Sequence, residues 1–291
     1  MEQRRFGDTG LSVSVVGLGA GEIGETDVGE AVAAEVLHGA LDLGVTLIDT
    51  ARGYGSSEER IGRHLGRRRN EFVLSSKGGH DIEGQPDWSP GSVSASIDRS
   101  LRLTRSERID IFYLHSCPVE VLQHGNLQDT LDEAVAAGKI GVAGYSGDNE
   151  HLAYAVDSGR FRSIETSVNL ADQWNLRHVL GNRPELGVIA KRPIANAPWR
   201  FSERPSGHYA ELYWERLRAL ALDPGDLGWA EFALRFTAYA PGVHSAIVGT
   251  ANLVNLRRNI AAADRGPLPT AVLDDIDRAW RRVGSDWPSS T

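Results

Sequence analysis

The sequence predicts an α/β fold of the (β/α)8 TIM barrel type, with an N-terminal β-hairpin and an extra helix at the C-terminal end, formed as a single domain over residues 1–291. Three observations predict it. Short apolar runs alternate with amphipathic stretches along almost the whole chain, as parallel strands alternate with their covering helices. Several apolar runs end on an ionisable residue, and a parallel barrel gathers its functional groups at strand ends. No proline- or serine-rich linker and no low-complexity tract divides the chain, and 291 residues with 41% hydrophobic content are enough for one large core.

In chain order, residues 3–17 read as a hairpin turning at Asp8-Thr9-Gly10. Strands follow near 15–19, 45–49, 72–76, 109–114, 140–145, 163–168, 186–190 and 245–249. Their helices fall near 28–43, 57–68, 90–104, 127–137, 149–158, 173–180, 228–239 and 252–263. Ser89-Pro90 supplies an N-cap with proline at the first helical position. Ser56 or Ser57, followed by Glu58 and Glu59, opens the helix after the second strand. A last helix fits 270–282. The longest segment outside this alternation, 191–226, carries Trp199, Phe201, Tyr209, Tyr213 and Trp214 and has helical spacing over 208–221.

Chemistry concentrates in VTLIDTARGYGSSEERIGRHL, residues 45–65. The apolar run Val45–Ile48 delivers Asp49 at its end and Tyr54 in a turn flanked by Gly53 and Gly55. The runs EFVLSSK and IDIFYLH end on Lys77 and His115. A lysine beside a phenol favours the phenolate, an acid holds the lysine by an ion pair, and a histidine adds a hydrogen-bond donor. Only three lysines occur among 31 basic residues, Lys77, Lys139 and Lys191, so a lysine kept at a strand tip points to use. Gly19-Ala20-Gly21-Glu22-Ile23-Gly24 matches the glycine fingerprint of a Rossmann fold. That reading leaves Tyr54, Lys77 and His115 without a role and the repeated βα pattern unused. The glycines are instead expected to let the first βα loop pass close to a cofactor.

A net charge of −8 and a pI near 5.6 argue against nucleic acid or an anionic membrane as a partner. The single cysteine, Cys117, allows no intrachain disulfide and no cysteine zinc cluster, and no metal is expected. The first residues lack the apolar core of a signal peptide, and no run approaches a membrane span, so a cytoplasmic protein is expected.

Asp49, Tyr54, Lys77 and His115, in this order and spacing, resemble the catalytic tetrad of the aldo-keto reductases. The resemblance extends to the opening RRFGDTGLSVSVVGLGA, to GYSGD and to IVGTANLVNLRRN, and so covers most of the chain. It implies a barrel plugged by its N-terminal hairpin and an enzyme that reduces an aldehyde or ketone with NADPH, Tyr54 serving as general acid. The same residues would serve an alcohol or sugar dehydrogenase running in reverse, and a cofactor-binding sensor subunit with little turnover is a further alternative. The implied cofactor is NADP(H), with NAD(H) second. Gly19 belongs to its site, and Ser146 matches the serine that holds the nicotinamide carboxamide. The family's glutamine falls on Glu165, its stacking aromatic falls on Lys191, and Asn169, Gln173 and Arg192 lie nearby. The adenosine end maps to Gly249, Thr250 and Asn259. Asn255 stands where an arginine usually meets the 2′-phosphate, with Arg257 or Arg258 as substitutes. Trp88 and Trp199, with Trp287, are expected to line the pocket of a small carbonyl or alcohol substrate. The chain is expected to work as a monomer or homo-oligomer.

Overall fold

The computed structural model describes residues 1–181 and 183–290. Strands β1 (Gln3–Arg5) and β2 (Ser12–Ser14) pair antiparallel as the expected hairpin. Eight parallel strands then close a barrel. They are β3 (Val16–Gly19), β4 (Leu47–Asp49), β5 (Val73–Gly78), β6 (Ile109–His115), β7 (Ile140–Ser146), β8 (Ser163–Ser167), β9 (Gly187–Lys191) and β10 (Ser245–Gly249), with β10 pairing back onto β3. Around them lie α1 (Glu30–Asp42), α2 (Ser57–Leu65), α3 (Pro90–Thr104), α4 (Val119–Leu122), α5 (Asn126–Ala136), α6 (Asn149–Asp157), α7 (Glu211–Leu220), α8 (Trp229–Ala238), α9 (Leu253–Ala263) and α10 (Thr270–Val283).

Strand alternation sorts the core into two populations. Ile48, Leu74, Phe112, Leu114, Ile164, Val188 and Val248 point outward and pack beneath the helices. Leu47, Val73, Ile111, Tyr113, Val142, Ile189 and Ile247 point inward and form a separate cluster. The hairpin completes that inner cluster with Phe6 and Val13. Phe6 is fully buried against Gly187, where even a β-carbon would come within 2.3 Å of its ring. The same inward register continues past the apolar layer to Asp49, Lys77, His115, Glu165 and Lys191, which places them at the C-terminal mouth.

Three local expectations change. The helix expected over 173–180 is present over 174–180, but its last five residues, Leu176–Leu180, form a π-helical turn. Side chains anchor its start. Asn175 Nδ2 donates inward to Asp148 Oδ1 and Thr166 Oγ1, both at 2.8 Å, and the backbones of Asn169 and Asp172 pair with each other. Ser56 holds the N-cap position of α2 but makes no side-chain capping bond, because its Oγ donates to Gly24 O at 3.2 Å, while Ser57 Oγ donates to Ala20 O at 2.7 Å and accepts from Thr50 Oγ1. Ser89 does cap α3, accepting from Ser92 N at 3.1 Å. The helix expected over 208–221 starts later, at Glu211, after a turn in which Gly207 N donates to Glu211 Oε2.

Among the described residues no helix is long and apolar enough to cross a membrane. Lys139, just before β7, pairs with Asp98 at 2.6 Å on the surface at the N-terminal end of the barrel. Phe6→Ala should cost roughly 3–5 kcal/mol of folding free energy, the range for emptying a buried aromatic site. Urea unfolding measures this, and a loss below about 1 kcal/mol would mean that the hairpin does not seal the interior.

Candidate active site

Tyr54 is seated by glycines rather than by packing of its own strand. Ser56 N donates to Gly24 O at 3.0 Å, bringing the Tyr54 loop onto the first βα loop. A β-carbon on Gly24 would lie 2.0 Å from Tyr54 O, and one on Gly55 (φ +51°) would lie 2.3 Å from Gly24 O. Both contacts are backbone on backbone, so neither neighbour can give way. The last glycine of the Rossmann-like run therefore positions Tyr54, while Gly19 and Gly21 line a groove beside it. Gly53 has open space around it and no positive φ, so it is not needed for the turn.

Beneath the tyrosine lies a buried charge cluster. Lys77 is fully buried, with Nζ 2.5 Å from Asp49 Oδ2, 3.1 Å from Glu165 Oε2 and 3.0 Å from Thr50 O. The contact with Asp49 is an aligned hydrogen bond. The approach of Glu165 is close but not aligned as one, and Glu165 Oε2 has no hydrogen-bond partner. Ser75 Oγ donates to Asp49 Oδ1 at 2.6 Å, fixing that carboxylate. Lys77 Nζ stands 5.3 Å from the centre of the Tyr54 ring, and His115 meets the same ring edge-on at 5.9 Å.

These contacts set the protonation states. Burial works against a charged Lys77, but Asp49 and Glu165 outweigh it and hold the ammonium above its ordinary range. For Tyr54 the Lys77 cation is the largest influence and favours the phenolate. Burial and the two carboxylates together exceed it, leaving the phenol pushed up to about 12. This inverts the expectation that Lys77 lowers the tyrosine, because the cation is shared with two anions. Burial, aided by Lys77, Lys191 and His80, depresses His115 to about 3, so its ring is neutral. Nδ1 of that ring is buried without a partner. Burial and Asp49 push Glu165 up to about 7 against the pull of Lys77 and Lys191.

A cavity of about 510 Å³ opens above this cluster, lined by Tyr54, His115, Ser146, Glu165, Lys191 and Arg192, among others. Ser146 Oγ donates toward Glu165 Oε1 at 3.4 Å. Lys191 Nζ pairs with the buried Asp148 at 2.9 Å, and Asp148 Oδ1 also accepts from Thr166, Ser167 and Asn175. Arg192 Nη1 donates to Ser290 O at 2.6 Å, and its guanidinium lies 5.1 Å from the Tyr209 ring centre. Tyr54, Arg192, Tyr209 and Ile247 also line a second groove of about 600 Å³, which runs to Gly249, Thr250 and Asn255. The two spaces thus adjoin, with Tyr54, Arg192, Tyr209 and Ile247 lining both.

Other residues named from the sequence lie elsewhere. The Asn169 amide is spent inside the fold, Nδ2 on Arg192 O and Oδ1 on Ala171 N, and Gln173 is spent on Leu170 O and Arg177. Arg258 and Asn259 line a separate cavity with Trp199, whose ring stacks on Trp229 at 5.9 Å. Trp287 packs edge-on against Trp280. Trp88 reaches the site only through His80, which lies 5.2 Å from Trp88 and 5.6 Å from His115, centre to centre. Tyr209, Asp148 and Glu22 line these spaces without having been singled out. Tyr209 sits in the aromatic excursion, the one signal that pointed toward it.

The raised Glu165 group has a consequence for stability. An acid raised from an ordinary 4.5 to about 7 contributes stability that is fully present below its unfolded value and is lost as pH rises through the folded one. Glu165→Gln carries no such loss. Measured by urea unfolding, the stability of the variant relative to the parent should increase by about 1–3 kcal/mol between pH values near 5 and 8. A difference independent of pH would mean that Glu165 stays ionised across this range.

The family model for the Aldo/keto reductase family matches residues 15–281. The 6-dehydroglucose reductase of Novosphingobium aromaticivorans is 30% identical over an alignment covering 89% of this chain and 80% of that protein. The L-galactose dehydrogenase of Arabidopsis thaliana is 27% identical over 90% of this chain and 88% of that protein. The solved holo form of an aldo-keto reductase from Bacillus halodurans superposes with a TM-score of 0.81, covering 96% of each chain at 23% identity, and so shares the fold. Aldo-keto reductases typically use nicotinamide cofactors, and by this match over most of its length the chain belongs to that family of oxidoreductases.

Proposed function

We propose that the protein interconverts a carbonyl and an alcohol with a nicotinamide dinucleotide, Tyr54 giving the proton in the reductive direction. One observation carries this reading: the Tyr54 phenol shares a cavity with a neutral His115 and lies over a lysine locked between two carboxylates. Bound nicotinamide supplies the hydride, for which the chain has no source of its own. The residues fit such a group. His115 Nδ1 is a buried polar atom without a partner, which calls for a ligand, and the adjoining cavity and groove suit an extended molecule. Ser146 and Glu165 would hold the carboxamide, Arg192 and Tyr209 the junction, and the Gly249–Asn255 end the adenosine.

As hydride reaches the carbonyl carbon, charge builds on oxygen, and His115 orients that oxygen by a hydrogen bond. Tyr54 releases its proton to the oxygen, and the phenolate left behind faces Lys77. At neutral pH the phenol is fully protonated, the state that reduction requires. Oxidation requires the phenolate. Ile247 is the only aliphatic side chain among the described residues lining the catalytic cavity. A small hydroxylated carbonyl therefore suits it better than an apolar aldehyde, in keeping with two relatives named for sugar substrates.

Tyr54→Phe should lower kcat for reduction by roughly 10²–10⁴-fold, the usual worth of a positioned acid. Dinucleotide affinity should stay within a few-fold. The check is a panel of aldoses and simple aldehydes beside a fluorescence titration, and a variant that keeps most of its kcat sinks the assignment. In the parent enzyme, alcohol oxidation should accelerate about tenfold per unit between pH values near 8 and 10, because the phenolate fraction grows by that factor below its pKa. A plateau in this interval would show a much lower phenol pKa during turnover.

A further inference from the structure

The far end of the groove carries a feature that bears on which dinucleotide it takes. Glu22, at the start of a single 3₁₀ turn in the first βα loop, reaches across to the eighth unit of the barrel. Its Oε2 accepts from Ala251 N at 3.1 Å, the first N–H beyond Thr250. Three of the next four donors are spent as well. Asn252 N donates to Thr250 Oγ1 at 3.1 Å, while Asn252 Oδ1 takes Val254 N at 2.8 Å and Asn255 N at 3.2 Å. A phosphate seated on these groups would have to displace the chain's own acceptors, and one of them is a carboxylate.

Among the described residues of the eighth unit, none that lines the groove is a cation. Asn255 lines it with a neutral side chain. Arg258 opens into the separate cavity beside Trp199, Trp229 and Glu231. Arg257 does not line the groove. Arg200 and His208, 3.3 Å apart, do line it, together with Arg192. They belong to the 192–208 segment and their charge suits a diphosphate, which NAD(H) and NADP(H) both carry. A carboxylate at the ribose end accepts from a 2′-hydroxyl and repels a 2′-phosphate.

We propose that Glu22, with Asn255 in place of a cation, selects a dinucleotide with a free ribose 2′-hydroxyl, NAD(H), over one bearing a 2′-phosphate. This rests on the nicotinamide oxidoreductase reading and reverses the NADP(H) preference that the family resemblance implies. Glu22 is exposed, so its substitution leaves the core untouched.

The test is titration of the intact protein with NADH and NADPH separately, followed by quenching of tryptophan fluorescence. The parent should bind NADH at least tenfold more tightly. Glu22→Gln, which keeps an acceptor for Ala251 N and removes only the charge, should narrow that ratio several-fold. Glu22→Ala combined with Asn255→Arg should invert it. Arg200→Ala should weaken both dinucleotides by a similar factor. NADPH bound as tightly as NADH by the parent, or a ratio unmoved by Glu22→Gln, overturns the selection by Glu22 and leaves the oxidoreductase reading standing. Failure of both dinucleotides to bind overturns both readings.

Discussion

Everything at the mouth of this barrel depends on one constraint: an ammonium group with no access to water. A lone charge in such a place is strongly disfavoured, so it persists only where anions and hydrogen-bond acceptors surround it. Asp49 meets that need from the neighbouring strand β4 and Glu165 from β8, three strands away around the barrel, and Thr50 O supplies a further acceptor. The arrangement has a cost for the tyrosine above it. Burial and the two acids together outweigh the one cation, and the phenol holds its proton more firmly than it does in water.

Much of this was legible in the sequence, for identifiable reasons. Strand ends on Asp49, Lys77 and His115 could be read because period-two alternation fixes which residues share the inward register once the apolar runs are located. The eight strands were located from those runs to within a few residues. The π-helical turn in the 173–180 region was not legible. It follows directly on Asn175, whose amide is held by Asp148, 27 residues away in sequence and joined only after the barrel closes. Trp199 failed as a pocket residue for a related reason. An indole signals burial, but its partner Trp229 lies 30 positions on, and nothing local reveals which cavity the pair will wall. The effect of Glu165 on the phenol was hidden as well, since it depends on how one cation is divided between two acids.

The first βα loop shows one short segment serving two distant ends of the same groove. Gly24 admits the backbone of the Tyr54 turn, and Glu22, two residues earlier, crosses to the start of α9. Its literal glycine motif belongs to neither half of a Rossmann fold. Gly24 is required by contact between two backbone loops, and the acid two residues before it lines the groove. Spacing alone does not separate these uses, because close backbone approach calls for glycine whichever chain or ligand approaches.

The scarcity of lysine has a practical side. Lys77 is sealed inside and Lys191 is held by Asp148, so Lys139 is the one lysine side chain open to reagents. It lies at the end of the barrel opposite the mouth. Amine-directed coupling to a bead, an electrode or a dye would thus attach the molecule at a single side chain and leave the entrance to its groove facing the solution.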